Sequence, residues 1–235
     1  MARSSILGLI PAKGGSTRLA MKNVRELGGK PLIAWAAEAA RASGVIDRMI
    51  LSTENDVVAA TARKLGIEVP FMRPEALARD PAGVVEVALH ALDTLEQAGE
   101  RYDTLIILLP TCPFRTGEDV RAAYELFVKR DRPFLMSVSE FTHTPFAAYC
   151  EAETGTLEPV FPEYLDRRSQ TLPKAFRPNG AVHVLDVARF RAAGTYVAQP
   201  LVGYVMPRER SIDIDTDADL REAANLLSQT AGGEA

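Results

Sequence analysis

Short apolar runs and amphipathic stretches take turns along about the first 140 residues, and this alternation constrains the fold more than any other feature. The runs at 5–10, 48–53, 103–110 and 134–139 (SILGLI, RMILST, DTLIILLP, FLMSVS) have the length and near-continuous hydrophobicity of strands covered on both faces. Between them, 31–44, 56–66, 84–99 and 117–130 repeat apolar residues at helical spacing. The pattern predicts an α/β, Rossmann-like fold: a mostly parallel sheet flanked by helices, with ligands taken up at the carboxyl ends of the strands. Pro31 suits a first helical turn, and Gly44, Gly66 and Gly99 stand where helices should stop.

The rhythm breaks after Ser139. Residues 140–178 are rich in proline and turn formers, which predicts a protruding β-rich arm with Gly155 at a hairpin tip. Strands at 181–186 and 201–207 and a helix from near Thr216 then resume the α/β pattern, with 231–235 as a frayed tail. At 235 residues and 47% hydrophobic content, the chain fits one domain, 1–230, with the arm as an insertion. A net charge of -4 gives no basic footprint and argues against nucleic acid as a partner. Cys112 and Cys150 have no zinc-ligand spacing, which suggests reduced thiols in a cytoplasmic protein. No segment approaches the ~18 apolar residues of a membrane span, and the first apolar run is too short for a signal-peptide core.

Two stretches carry chemistry. The first, IPAKGGSTRLAMKN at 10–23, places two glycines, small hydroxyls and several cations directly after the first strand. Bare backbone N–H groups beside fixed positive charge suit a polyphosphate. Neither G-x-x-x-x-G-K-[ST] nor G-x-G-x-x-G is present, so a P-loop ATPase and a dinucleotide oxidoreductase are disfavoured. A solvated polar turn would look the same from these residues alone. The second stretch is SIDIDTDADL at 211–220. Asp213 and Asp215 alternate around Ile214, so an extended backbone turns both carboxylates to one side, a geometry suited to Mg²⁺. Thr216 to Asp219 read as a helix cap with acids in the first turn.

The loop resembles the signature of the CMP-sialic acid synthetases, the acylneuraminate cytidylyltransferases, with their legionaminic and pseudaminic acid branches. LGGKPLIAWAAEAA, VPFMRPEALARD, LLPTCPFRTGEDV, RRSQTLPKAFRPNGAVHV and RSIDIDTDADL extend the likeness, in family order, from about Ile6 to Leu227. The resemblance implies a nucleotidyltransferase with a dimerisation arm, which joins CTP to an acidic nine-carbon 2-keto sugar with Mg²⁺ and works as a homodimer. It also implies nucleotide contacts from Ala12, Lys13, Gly14, Gly15, Ser16, Lys22, Asn23 and Arg73, with Lys22, Lys13 and Asp215 catalytic and Asp213 and Asp215 on the metal. Arg168, Arg177 and Asn179 fall in the block that implies sugar recognition. Two departures stand out: Leu109 replaces a glutamine that faces the sugar, and His183 replaces a tyrosine. STRL is also similar to CMP-Kdo synthetases, and the loss at Leu109 is compatible with an inactive nucleotide-binding protein. These two remain the alternatives.

Overall fold

The structure is a computed structural model that describes residues 5–16, 18–131 and 133–232. Strand β1 (Ile6–Pro11) leads through a two-residue ribbon, β2 (Glu26–Leu27) and β3 (Lys30–Pro31), into α1 (Leu32–Ser43) and β4 (Arg48–Ser52). Helices α2 (Asp56–Lys64) and α3 (Val84–Gln97) precede β5 (Thr104–Ile107), and α4 (Gly117–Lys129) precedes β6 (Phe134–Glu140). The arm carries β7 (Tyr149–Glu151) and β8 (Leu157–Pro159), paired only with each other. Then come β9 (Phe176–Asp186), α5 (Val187–Ala193), β10 (Leu201–Val205) and α6 (Asp217–Gly232).

The six-stranded sheet has the order β10-β6-β9-β5-β1-β4. Strand β9 runs antiparallel to both of its neighbours, and the other pairs are parallel, as the alternation predicts. One face packs Ile33, Ala36, Val120 and Phe127 of α1 and α4 onto Ile10, Ile106 and Val182. The other packs Ala88, Leu92 and Leu95 of α3, with Phe190 of α5, onto Leu7, Leu9 and Ile107. Helix α1 thus leaves β1 toward one face, and the next strand on its other side, β5, is reached through α3 on the opposite face. This reversal opens a crevice at the carboxyl end of β1, where an α/β sheet holds its ligands.

Two boundaries differ from expectation. Strand β9 starts at Phe176, five residues before the predicted strand, so the arm ends near Ala175 and not at 178. Pro178 and Gly180 read as turn formers, but Gly180 sits inside a bulge and Pro178 at its edge: the pairing with β6 jumps from His183 opposite Met136 to Pro178 opposite Val138. A proline is tolerated there because no ladder donor is needed. The closing helix also runs to Gly232, so residues 231 and 232 are helical and not frayed, while 233–235 lie outside the described residues. The hairpin tip falls at Gly155 as expected, with φ 76°. No described helix is long and apolar enough to cross a membrane.

Candidate active site

A cleft of about 260 Å³ lies at the end of β1. It gathers Lys13, Lys22 and Asn23 from the loop, Arg73 and Leu109 from beside the sheet, and Asp213 and Asp215 from the segment before α6. Leu77, Val84 and Val87 give it one apolar wall.

Local packing explains why the two aspartates face this space. Ile214 between them is fully buried with Leu19, Leu27, Leu32 and Ala223, and its N–H donates to the Thr111 carbonyl at 2.8 Å. With the middle side chain turned into that small core, an extended backbone sends its neighbours the other way. Lys22 Nζ donates to Asp215 Oδ1 at 2.7 Å, and Arg18 pairs with the other oxygen at 2.8 Å. Burial, and then the charges of Asp215 and Asp219, push the Asp213 carboxyl above its ordinary range, against the downward pull of Thr111 and Lys22. Two hard carboxylates converging in this way fit a Mg²⁺ ion, which usually takes one or two protein carboxylates and fills its shell with water and phosphate oxygen. Among the described residues, no group of three or more His, Cys, Asp or Glu offers another metal site.

The glycine loop is braced from below. Gly14 N–H donates to Glu54 Oε1 at 2.7 Å, and Glu54 is ion-paired with the buried Arg73. A Cβ on Gly14 would stand 2.6 Å from the Asn55 side chain, so glycine here permits close approach to the protein body. Gly15 has nothing within 4 Å of its would-be Cβ and is open to a ligand. Asn23 Nδ2 donates to the Lys13 carbonyl at 2.8 Å and holds the turn while lining the cleft. Ser16 N–H donates back to Gly14 at 3.0 Å, and Ala12, fully buried, is tied to Ser52. Burial raises the Glu54 carboxyl, but Arg73 and Gly14 outweigh it and leave it below the usual range. Sequence reasoning missed Glu54. Its only signal is an acid directly after a strand that ends at the crevice.

Of the residues implied for the sugar, Leu109 lines this cleft, Arg177 and Asn179 line a separate cavity, and Arg168 and His183 line neither. Leu109 lines the cleft beside Lys13 and Arg73, and is not sealed in the core. Arg168 is exposed on the arm, away from the cleft. Arg177 is exposed at the start of β9, where its Nε donates to Ser139 Oγ at 3.3 Å, beside a second cavity of about 320 Å³ that also touches Asp213. Asn179 is buried in the β9 bulge. Its Oδ1 accepts from Ser137 Oγ (2.6 Å) and Ala181 N–H (3.1 Å), and its Nδ2 donates to Ser211 Oγ (2.9 Å) and Met206 Sδ (3.5 Å). All four positions of the amide are used inside the protein. His183 is buried in mid-sheet, edge-on to Tyr196 with ring centroids 4.9 Å apart. Burial, and then the nearby Arg115, press its pKa down to about 4, so it is neutral at physiological pH.

A β1 loop of glycines and lysines facing paired aspartates across a switch-point crevice is the layout of a nucleotidyltransferase, and the comparisons agree. A family model described as "Cytidylyltransferase" matches residues 7–105. The pseudaminic acid cytidylyltransferase of Campylobacter jejuni serotype O:2 is 32% identical over 222 residues, covering 94% of this chain and 95% of that one. The CMP-N,N'-diacetyllegionaminic acid synthase of Legionella pneumophila is 31% identical over 232 residues, covering 96% and 98%. The fold is shared with a CMP:2-keto-3-deoxy-manno-octonic acid synthetase solved with CTP, at a TM-score of 0.74 and 15% identity over 97% of this chain and all of that one. The protein is an enzyme of the cytidylyl-transferring class. It belongs to the acylneuraminate cytidylyltransferase family, whose branches include the pseudaminic and legionaminic acid enzymes.

Proposed function

We propose that the cleft activates a sialic-type nonulosonic acid with CTP, for cell-surface glycan synthesis. The anomeric hydroxyl of the sugar attacks the α-phosphate, the bond to the β-phosphate oxygen breaks, and pyrophosphate leaves with the CMP-sugar formed. The observation that carries this reading is the meeting of Lys13, Lys22, Asp213 and Asp215 in one cleft at the end of β1. Such a displacement concentrates negative charge at both ends of the breaking bond, and fixed cations there stabilise it more than the ground state. Lys13, exposed at the mouth, grips the outer phosphates. Lys22, less exposed and already oriented by Asp215, acts on the α-phosphate or the leaving group. Asp213 and Asp215 are the residues that would hold Mg²⁺, which when bound supplies further positive charge to the triphosphate.

The choice of sugar rests on Leu109. An apolar side chain there favours the deoxy sugars, whose C9 is a methyl group, over N-acetylneuraminate with its C9 hydroxyl. That agrees with the pseudaminic and legionaminic names of the two relatives. The working form is a homodimer built on the arm: Tyr149, Leu157, Val160 and Leu165 are exposed there, and an isolated two-stranded hairpin is marginal without cover. The free thiols of Cys112 and Cys150 suit the cytoplasm.

The test is pyrophosphate release from CTP and Mg²⁺ with pseudaminate, legionaminate, N-acetylneuraminate or Kdo as acceptor. Turnover with pseudaminate or legionaminate, ahead of the other two, is expected. Preference for Kdo would overturn the nonulosonate reading, and silence with all four would favour a nucleotide-binding protein without activity.

A further inference from the structure

The segment that delivers Asp213 and Asp215 belongs to no strand and, apart from a single turn at Arg208–Arg210, to no helix, so its position depends on how it is tied down. Met206 N–H donates to the Val138 carbonyl and Ile214 N–H to that of Thr111, both at 2.8 Å. Between these backbone ties lies one charged bracket. Arg210 meets Asp119 of α4 as a two-pronged pair, Nε to Oδ2 at 2.9 Å and Nη2 to Oδ1 at 2.8 Å.

Asp119 is 1% exposed. Its Oδ2 accepts from the Thr116 N–H and hydroxyl, the bonds that cap α4. Capping leaves Oδ1 spare, and Oδ1 is used by Arg210 and by the Tyr204 hydroxyl at 3.1 Å. The carboxylate therefore does more than end a helix. A forked guanidinium–carboxylate pair fixes direction as well as distance, and Arg210 stands three residues before Asp213.

We propose that Arg210, through Asp119, is a positioning residue that sets where the Asp213 and Asp215 carboxylates lie and so the affinity of the site for its divalent cation. This rests on the reading that those two aspartates hold the metal. Residues that orient metal ligands from behind change metal affinity by about 10-fold or more when replaced.

The test compares Arg210→Lys and Arg210→Gln with Tyr204→Phe in the full chain. Tyr204 bonds the same carboxylate but is held in β10 by its pairing with β6, nine residues before Asp213, so its loss weakens the network without loosening the aspartates. Three quantities are read: binding of Mn²⁺ in the presence of CTP by electron paramagnetic resonance, the Mg²⁺ concentration that gives half-maximal activity, and the melting temperature. Arg210→Lys should need about 10-fold more of either metal and Arg210→Gln more still, with most of the turnover recovered at saturating Mg²⁺. Tyr204→Phe should melt earlier with an unchanged metal requirement. Unchanged metal requirements in both Arg210 variants, or a shift of the same size in Tyr204→Phe, would overturn the proposal. Absence of CTP-dependent Mn²⁺ binding in the parent protein would instead remove the metal reading of Asp213 and Asp215, and this proposal with it.

Discussion

Lys22 Nζ lies 2.7 Å from Asp215 Oδ1, joining a cation and a carboxylate that are 193 residues apart in the chain. The pair closes the floor of the cleft. It keeps the lysine aimed while no phosphate is near, so Lys22 is oriented before substrate arrives.

Asp215→Asn should lower turnover by on the order of 100-fold while the melting temperature stays within a few degrees. A neutral amide is a poor Mg²⁺ ligand, whereas the ion pairs lost with Lys22 and Arg18 are partly exposed and contribute little to stability. Pyrophosphate release followed across a Mg²⁺ titration provides the check, and parent-like turnover at low Mg²⁺ would remove Asp215 from the metal site.

Lys22→Ala and Lys13→Ala should separate. Removing Lys22 should cost mainly kcat, by about 100-fold or more, because its charge matters most where charge develops. Removing Lys13, which is exposed at the mouth, should raise KM for CTP and leave kcat close to the parent's. Steady-state kinetics with CTP as the varied substrate distinguishes the two, and matching effects on kcat and KM would show that the lysines share one role.

The two loop glycines should also respond differently. In Gly14→Ala the new methyl would stand 2.6 Å from Asn55, an overpacking that costs about 2 kcal/mol and lowers the melting temperature by about 5 °C. Gly15→Ala meets nothing within 4 Å, so its melting temperature should not change, but its CTP affinity should fall if phosphates pack over that backbone. Thermal melts with and without CTP report both effects.

Stability should depend on pH through His183. Its folded pKa, about 4, lies below the roughly 6.5 of an unfolded histidine, so the unfolded chain binds the proton first. The contribution is complete above about pH 6.5 and is lost as pH falls toward 4, a change on the order of 3 kcal/mol. In His183→Phe, denaturant midpoints measured between pH 7 and pH 4 should fall less steeply than in the parent. An identical slope would mean that the imidazole titrates normally in the fold.

The strand–helix alternation makes four of the six sheet strands, β1, β4, β5 and β6, readable in advance, because a buried parallel strand and an amphipathic helix each leave a period that residue types alone reveal. Strand β9 is harder to read. Pro178 and Gly180 have the composition of a turn, and only the pairing with β6 turns them into a bulge. The same limit applies to the site. That Lys13, Lys22, Asp213 and Asp215 meet is legible because charged residue type and spacing are written in the sequence, and all four line one cleft. Asn179 and His183 sit in motif positions that imply contact with substrate, yet motif likeness carries no information about burial: His183 is enclosed by the sheet, and Asn179 borders the cavity beside Arg177 with its amide already bonded inside the protein. Glu54 and Asp119 escape sequence reading for the converse reason: their roles come from partners, Arg73 and Arg210, that only the folded chain brings near.

The small core that seats Ile214 draws Leu19 from near one end of the described chain and Ala223 of α6 from near the other. A ribosome makes the lysine loop almost 200 residues before the aspartates that complete it. Domains fold as units during synthesis, so once β10 has emerged the six-stranded sheet can form around a loop whose cations still lack their carboxylate and whose Leu19 lacks its cover. On the roles proposed for these aspartates, catalytic competence is the last property this protein acquires during its synthesis, and a nascent chain halted before Asp213 would present a nearly finished scaffold that cannot consume CTP.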